Sequence, residues 1–211
     1  MCCLKPFFFR YASSLLLLWG GLSCSQPPVF ETEQALNEYL AQEENGYRHH
    51  KNINGVTFTL TYRPTDLLVA QDAGTGLSLS QLDSLRSHYG NYLYFNLSVS
   101  KNNEEILTGF AGNRARFGAM VNQLSFGMAQ SIHFYTPARD TIAMLDYIYP
   151  RMYGMSKSTT LLMVYPKEPR IIEKEYMFIT IEDLGLKTGE VTFKVPMEPI
   201  RKQPELQFKT Q

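Results

Sequence analysis

The chain has 211 residues, with 20 basic and 20 acidic side chains, so its formal net charge is zero. A balanced chain generates no strong electrostatic field, which argues against nucleic acid as a partner. All 3 cysteines lie within the first 24 residues, at positions 2, 3 and 24, so the rest of the sequence lacks a disulfide framework, a thiolate metal site and a cysteine nucleophile.

The first residues have the pattern of a secretory signal. Lys5 and Arg10 precede an apolar run centred on residues 15–19, and no acidic residue occurs before Glu31. A basic start, an apolar stretch of about 7–15 residues and small residues at its end define such a signal. A membrane-spanning helix needs about 20 apolar residues, which this run does not reach. We therefore predict that residues 1–23 are a signal sequence and that the chain is exported.

The end of this signal resembles the lipobox of the bacterial lipoprotein-precursor family. Ser23 and Cys24 match its small residue and its lipidated cysteine, while Gly21 and Leu22 differ from the usual residues. The resemblance implies that Cys24 becomes the acylated N-terminus and anchors the protein to a membrane. It also implies the outer rather than the inner membrane, because Ser25 and not aspartate follows. An ordinary signal, cleaved near Ser23, is the alternative.

Length and composition set the domain organisation behind the signal. Residues 24–29 are predicted to be the lipidated N-terminus and a short tether, and residues 30–211 a single globular domain, since this length suffices for one sizeable domain and is marginal for two. Without Lys5 and Arg10 the net charge becomes about −2, which still gives no strong field. Aromatic residues make up 13% of the chain, as in a globular protein rather than a disordered stalk.

Periodicity and turn residues predict the elements of this domain. Apolar residues recur at helical spacing in some segments and alternate with polar residues in others, as in half-buried strands. In chain order we predict a helix over 31–42, a polar loop over 43–54, a strand over 55–62, a helix over 80–89, strands over 92–99 and 105–110 joined by a turn, a helix over 114–130, and strands over 132–135, 141–149, 159–165, 175–181 and 190–195.

Several links between the predicted strands are short and carry turn residues. Short links favour antiparallel pairing, because parallel neighbours need crossovers of a dozen residues or more. The predicted fold is therefore α+β, a single domain built on antiparallel sheet with two or three short helices packed against it. A two-sheet sandwich is compatible with the same pattern.

No catalytic residue, metal site or cofactor site is predicted. Zinc needs three or four converging ligands, whereas His49 and His50 are adjacent in the predicted polar loop and His88 and His133 are far from them in sequence. We interpret the histidines as surface or capping residues. The Gly-x-Ser-x-Gly motif of a serine nucleophile elbow is absent. The carboxylates show no spacing that indicates acid–base catalysis.

Residues 147–155 are the least generic segment, with three tyrosines, one arginine and two methionines around a proline–glycine bend. Tyrosine and arginine are enriched at interfaces because they combine a large contact area with hydrogen-bonding tips. This segment predicts an interaction surface formed by Tyr147, Tyr149, Arg151 and Tyr153. The alternative is a turn between strands whose aromatic rings complete the core.

These observations predict a non-enzymatic lipoprotein of the cell envelope that acts as a binding or assembly partner. Its predicted partners are the membrane, through the N-terminal lipid, and another envelope protein or a glycan; nucleic acid is not predicted. A carbohydrate-binding module is the first alternative. A hydrolase of envelope polymers, with aspartate and glutamate as acid and base, is the second.

Overall fold

The computed structural model describes residues 26–73 and 76–209, so the predicted signal sequence and Cys24 lie outside the described residues. The helices are α1 (Glu33–Ala41), α2 (Thr65–Asp72), α3 (Leu79–Gly90), α4 (Arg114–Asn122), α5 (Met128–Ser131), α6 (Pro169–Ile172) and α7 (Met197–Arg201). The strands are β1 (Val29–Phe30), β2 (Arg48–Ile53), β3 (Val56–Arg63), β4 (Tyr92–Lys101), β5 (Glu104–Glu105), β6 (Ile132–Tyr135), β7 (Thr141–Ile142), β8 (Asp146–Ile148), β9 (Thr159–Pro166), β10 (Tyr176–Ile181), β11 (Val191–Pro196) and β12 (Glu205–Leu206).

The fold class is α+β on antiparallel sheet, as predicted. The larger sheet has the order β2-β3-β4-β9-β8, with β5 paired to β4, and the smaller sheet has the order β11-β10-β6-β7. Every pairing within these two sheets is antiparallel. A separate pair, β1 with β12, is parallel and brings the first described strand beside the last one.

The two larger sheets pack face to face as a sandwich. The strict alternation of β3 sends Val56, Phe58 and every second residue after them into the core, and the threonines between them to the outer face. Across the interface, the ring of Phe134 on β6 lies 6.0 Å from the ring of Phe95 on β4 and 4.7 Å from that of Tyr165 on β9. These tilted and edge-on contacts are the favourable geometries for aromatic pairs.

The helices outnumber the two or three that the sequence predicted. Four of them have eight residues or more, α1 to α4, and three are short, α5 to α7. Helix α2 was not predicted, because a run of only four apolar residues, 67–70, has no readable period. The predicted helix over 114–130 is interrupted by a π-helical turn, Gln123–Gly127, between α4 and α5.

The polar loop predicted over 43–54 was wrong in its second half, which forms strand β2. This strand pairs residue by residue with β3, from Arg48 opposite Thr61 to Ile53 opposite Val56. A tight turn at Asn54 and Gly55 closes the hairpin, and both residues have the positive φ that such a turn requires (53° and 78°). Strand β2 is polar because it lies at the edge of its sheet.

Two predicted strands also differ from the structure. Residues 106–110 of the predicted 105–110 strand form a 3₁₀ turn, and only Glu104–Glu105 pairs with β4. The predicted strand over 141–149 is two strands in different sheets, since β7 pairs with β6 and β8 pairs with β9. The chain between β7 and β8 therefore crosses from one layer of the sandwich to the other.

A buried carboxylate connects strand β12 to helices α2 and α3. Asp66, which is 4% exposed, accepts two hydrogen bonds from the Arg86 guanidinium, at 2.8 and 2.7 Å. It also accepts the backbone N–H of Leu206 at 2.8 Å. The contact with Asp66 raises the pKa of Arg86 above its ordinary value. Strands β12 and β1 are thus held against α2 and α3.

Candidate functional site

The described residues contain no cluster of three or more His, Cys, Asp or Glu side chains that could hold a metal ion. In the same residues no helix combines the length and apolar character that a membrane crossing needs.

The two carboxylates that are buried in the described residues have structural partners. Asp66 is bound by Arg86 and by the backbone of Leu206. Glu105, 3% exposed, accepts the backbone N–H of Gly154 at 2.9 Å through one oxygen and that of Ser156 at 3.3 Å through the other. Acid–base catalysis would need carboxyl groups free to face a substrate. These two groups instead stabilise the chain around them.

The histidines are placed on separate surfaces. His49 lies on the inner face of β2 opposite Leu60, and His50 lies on the outer face, where it contacts Glu43. His133 on β6 is within 2.8 Å of Glu182, and the His88 ring packs edge-on against Tyr89. Burial lowers the pKa of His49, an effect that Gly46 and Glu43 partly oppose.

The structure places the predicted surface residues on one continuous segment, but exposes only two of the four. Tyr147 points inward beside Met163 of β9 and is half-buried, and its hydroxyl accepts the N–H of Met128 at 3.4 Å. Tyr149 is also half-buried against the core, and burial raises its pKa. These two rings therefore fit the alternative in which aromatic residues of the segment complete the core.

Arg151 and Tyr153 are solvent-exposed. The Arg151 guanidinium donates a hydrogen bond to the Ser125 hydroxyl at 3.1 Å, which links the segment to the π-helical turn. Tyr153 is 59% exposed and has a left-handed backbone, with φ of 47°. A non-glycine residue rarely adopts this conformation. The next residue, Gly154, continues it with φ of 87°, and its N–H is the one that Glu105 accepts.

Exposed apolar side chains concentrate around this segment. Eight large apolar residues of the described chain are exposed, and six of them belong to β8, its flanking loops or the π-helical turn. We call these six the flank surface: Phe126, Leu145, Ile148, Met152, Tyr153 and Met155. Phe126 belongs to the π-helical turn, which lies beside the segment because Ser125 bonds Arg151 and the Met128 N–H bonds Tyr147. A contiguous exposed apolar patch typically marks a protein–protein or membrane contact.

Strand β8 is an edge strand, and one of its N–H groups is bonded by a neighbouring side chain. An edge strand presents unpaired N–H groups to which another chain could add a strand. Here the carboxylate of Asp146 accepts the N–H of Tyr147 at 2.8 Å. This local bond gives the Tyr147 N–H an acceptor within the chain.

A second group of aromatic rings lies on the outer face of the smaller sheet. Tyr135 and Phe178 stack with their centroids 5.5 Å apart, and Tyr176 packs edge-on against Phe178. The Arg139 guanidinium covers Tyr135 at 4.9 Å, and the Lys194 ammonium covers Tyr176 at 3.8 Å. Stacking on a sugar needs a free ring face. In this group the three rings pack against one another and the two cations lie over Tyr135 and Tyr176.

No protein-family model, curated protein or solved structure matches this chain. Sequence reasoning identified residues 147–155, the segment that contains Ile148, but it missed Phe126 and Leu145. Phe126 lies within a pattern read as one regular helix, and only the π-helical turn exposes it. Leu145 and Ile148 were assigned to one long strand, and their exposure follows from the break between β7 and β8.

Proposed function

We propose that this protein is an exported, lipid-anchored and non-enzymatic binding protein of the cell envelope. It is anchored in the outer membrane, and its globular domain lies outside the cytoplasm. Its partner is another envelope protein, which it contacts through the flank surface. The observation that carries this proposal is the concentration of six exposed apolar side chains around one loop that a buried glutamate holds in place.

The chemistry of the partner follows from the charges around the flank surface. Arg151 and Lys157 are exposed there, and the one hydrogen bond of the Arg151 side chain within residues 26–73 and 76–209 goes to the neutral hydroxyl of Ser125. The acidic neighbour, Asp146, is already engaged by a backbone N–H. The matching surface is therefore an apolar protein face with a carboxylate placed to meet Arg151. Arginine and tyrosine are typical of the residues that dominate binding energy at such interfaces.

The alternatives have less support. A glycan-binding surface would present free ring faces, but Tyr147 and Tyr149 are half-buried and the rings on the smaller sheet are covered by cations. A hydrolase would need free carboxyl groups in a cleft, whereas Asp66 is bound by Arg86 and a backbone N–H, and Glu105 is bound by two backbone N–H groups.

The anchor is tested by the intact mass of the protein extracted from membranes, compared with its Cys24→Ser variant. We expect an added acyl mass that the variant lacks, together with release of the variant from the membrane. Identical masses and identical solubility would remove the lipid anchor from the proposal and leave an exported soluble protein.

The flank surface is tested by photocrosslinking in intact cells. A photoreactive amino acid at Met152 is expected to give one discrete protein adduct, which Arg151→Glu abolishes. The matched control carries the photoreactive residue at exposed Lys174 and is expected to give no such adduct. A Met152 adduct that persists in Arg151→Glu, or no adduct in any growth condition, would contradict the proposed interface.

A further inference from the structure

A pocket of about 290 Å³ lies on the outer face of the larger sheet, beside α1. Its wall includes two arginines, Arg48 at the start of β2 and Arg63 at the end of β3. Between them the sheet contributes Thr59, Thr61, Asn96 and Ser98. No aspartate or glutamate lines this pocket. The lining therefore carries two positive charges, surrounded by hydroxyl and amide groups.

The sheet register explains why these side chains meet. Arg48 is directly opposite Thr61, and Thr61 is directly opposite Asn96 of β4. Arg63 follows Thr61 by two residues on the same strand, so its side chain is on the same face. The three strands thus place both guanidinium groups and several polar groups on one side of the sheet.

Neither arginine is neutralised by the described part of the chain. Neither forms a salt bridge or a side-chain hydrogen bond there, although the Asp66–Arg86 and Glu198–Lys202 pairs do. Arg48 and Arg63 are both half-buried, and the Nε atom of Arg48 is buried without a hydrogen-bond partner. Burial also lowers the pKa of Arg63, an effect that Glu33 only partly opposes. Keeping two cations in this environment is costly unless an anion joins them.

The donors define the anion. A guanidinium presents N–H groups in a planar fork that matches the oxygens of a phosphate or a carboxylate, and the threonine and serine hydroxyls can donate further bonds. Two arginines facing one small pocket match a doubly charged group better than a singly charged carboxylate. We propose that this pocket binds a phosphate group.

The phosphate can come from a soluble molecule or from a lipid headgroup. The second source is within reach of the proposed anchor, because α1, which forms one wall, begins at Glu33, shortly after the tether. The proposed phosphate site does not depend on the flank surface, which lies at the opposite edge strand of the same sheet.

Binding is measured by calorimetry on the full-length protein in neutral detergent, titrated with inorganic phosphate, and by co-sedimentation with phosphatidylcholine vesicles that contain phosphatidic acid or lack it. We expect binding in at least one arm. Arg48→Gln and Arg63→Gln are each expected to weaken it at least about tenfold, because each removes a charge-assisted pair of bonds. Arg139→Gln, which removes an arginine of the other sheet, is the matched control and should bind as the wild type does.

Thermal unfolding separates a lost site from a lost fold. Phosphate should raise the melting temperature of the wild type and not that of Arg48→Gln, and the variant without phosphate should melt at or above the wild-type temperature. Binding of free phosphate alone indicates a soluble ligand, and binding of phosphatidic acid vesicles alone indicates a headgroup. The proposal is overturned if the wild type binds in neither arm, or if Arg48→Gln and Arg63→Gln both bind as tightly as the wild type. Arg151→Glu should leave phosphate binding unchanged, so the two proposals fail independently.

Discussion

The carboxylate of Glu105 accepts the backbone N–H of Gly154 at 2.9 Å, although Glu105 lies on the short strand β5 and Gly154 in the loop between β8 and β9. Its second oxygen accepts the N–H of Ser156. The loop between β8 and β9 is therefore held by a side chain from the β5 turn. This attachment keeps Tyr153 in its left-handed conformation and fixes the exposed end of the flank surface.

Replacing Glu105 should loosen that loop. Glu105→Ala removes the charged acceptor of the Gly154 and Ser156 N–H groups, so we expect a loss of about 1–3 kcal/mol in the free energy of unfolding. Amide exchange measured by mass spectrometry should become faster at residues 153–156. Glu104→Ala, at the exposed neighbouring position, is the control and should change neither. Unchanged exchange in Glu105→Ala would show that the loop is held by other contacts.

The Asp66–Arg86 pair should be the costliest ionic contact to break. Asp66→Ala leaves the Leu206 N–H without an acceptor and Arg86, whose side chain is 35% exposed, without its carboxylate, so we expect a loss of about 3 kcal/mol in the free energy of unfolding. Denaturant unfolding measures this loss. Glu198→Ala breaks the exposed pair with Lys202 and should have no measurable effect. Equal stability of the two variants would contradict the role given to Asp66.

Acidification should destabilise the fold through His49. Because its pKa is lowered in the folded state from the ordinary 6.5, the unfolded chain takes up the proton first as the pH falls. Stability is therefore complete above about pH 6.5 and decreases below it, toward the lowered folded pKa. His49→Phe should flatten this decrease in denaturant unfolding measured between pH 8 and 5. A decrease as steep as in the wild type would place the titrating group elsewhere.

The core of the sandwich should be sensitive to the loss of one ring. Phe134 contacts Phe95 and Tyr165 of the opposite sheet and is fully buried. Phe134→Ala is expected to cost about 3–5 kcal/mol, because it removes buried apolar surface and leaves a cavity. Phe126→Ala removes the same side chain from an exposed position and should cost less than about 0.5 kcal/mol. A small effect at Phe134, measured by urea unfolding, would indicate loose packing between the sheets.

The elements that the sequence predicted well are those with one buried face. Strand β3 alternates core residues with threonines, β4 pairs with it, and β9 pairs with the other side of β4, so these three strands form the centre of the sheet and period two is clear in all of them. Strand β2 could not be recognised in this way. It lies at an edge and is polar on both faces, and its pairing is decided by β3 and by the Asn54–Gly55 turn.

The interaction surface was predicted from residue types, which do not determine the direction in which each side chain points. Tyrosines alternate at 147, 149 and 153, but a sequence cannot show which rings turn inward. Tyr147 is turned inward by its register beside Met163, whereas Tyr153 is exposed by its backbone conformation. The contribution of Phe126 depends on a hydrogen bond between Arg151 and Ser125, which joins segments remote in sequence.

The pairing of β1 with β12 has a mechanical consequence. A force applied at residue 26 is transmitted to the domain through the pairing of β1 with β12. The paired residues are Val29 with Glu205 and Phe30 with Leu206, and the Gln207 N–H also donates to the Phe30 carbonyl at 2.8 Å. The hydrogen bond from the Leu206 N–H to the Asp66 carboxylate then transmits the force from β12 to helix α2. Resistance to a force at the first described residues therefore depends on residues 205–207, and a truncation before 205 would leave β1 without its backbone partner, with side-chain packing such as Phe30 on Tyr39 as its remaining attachment.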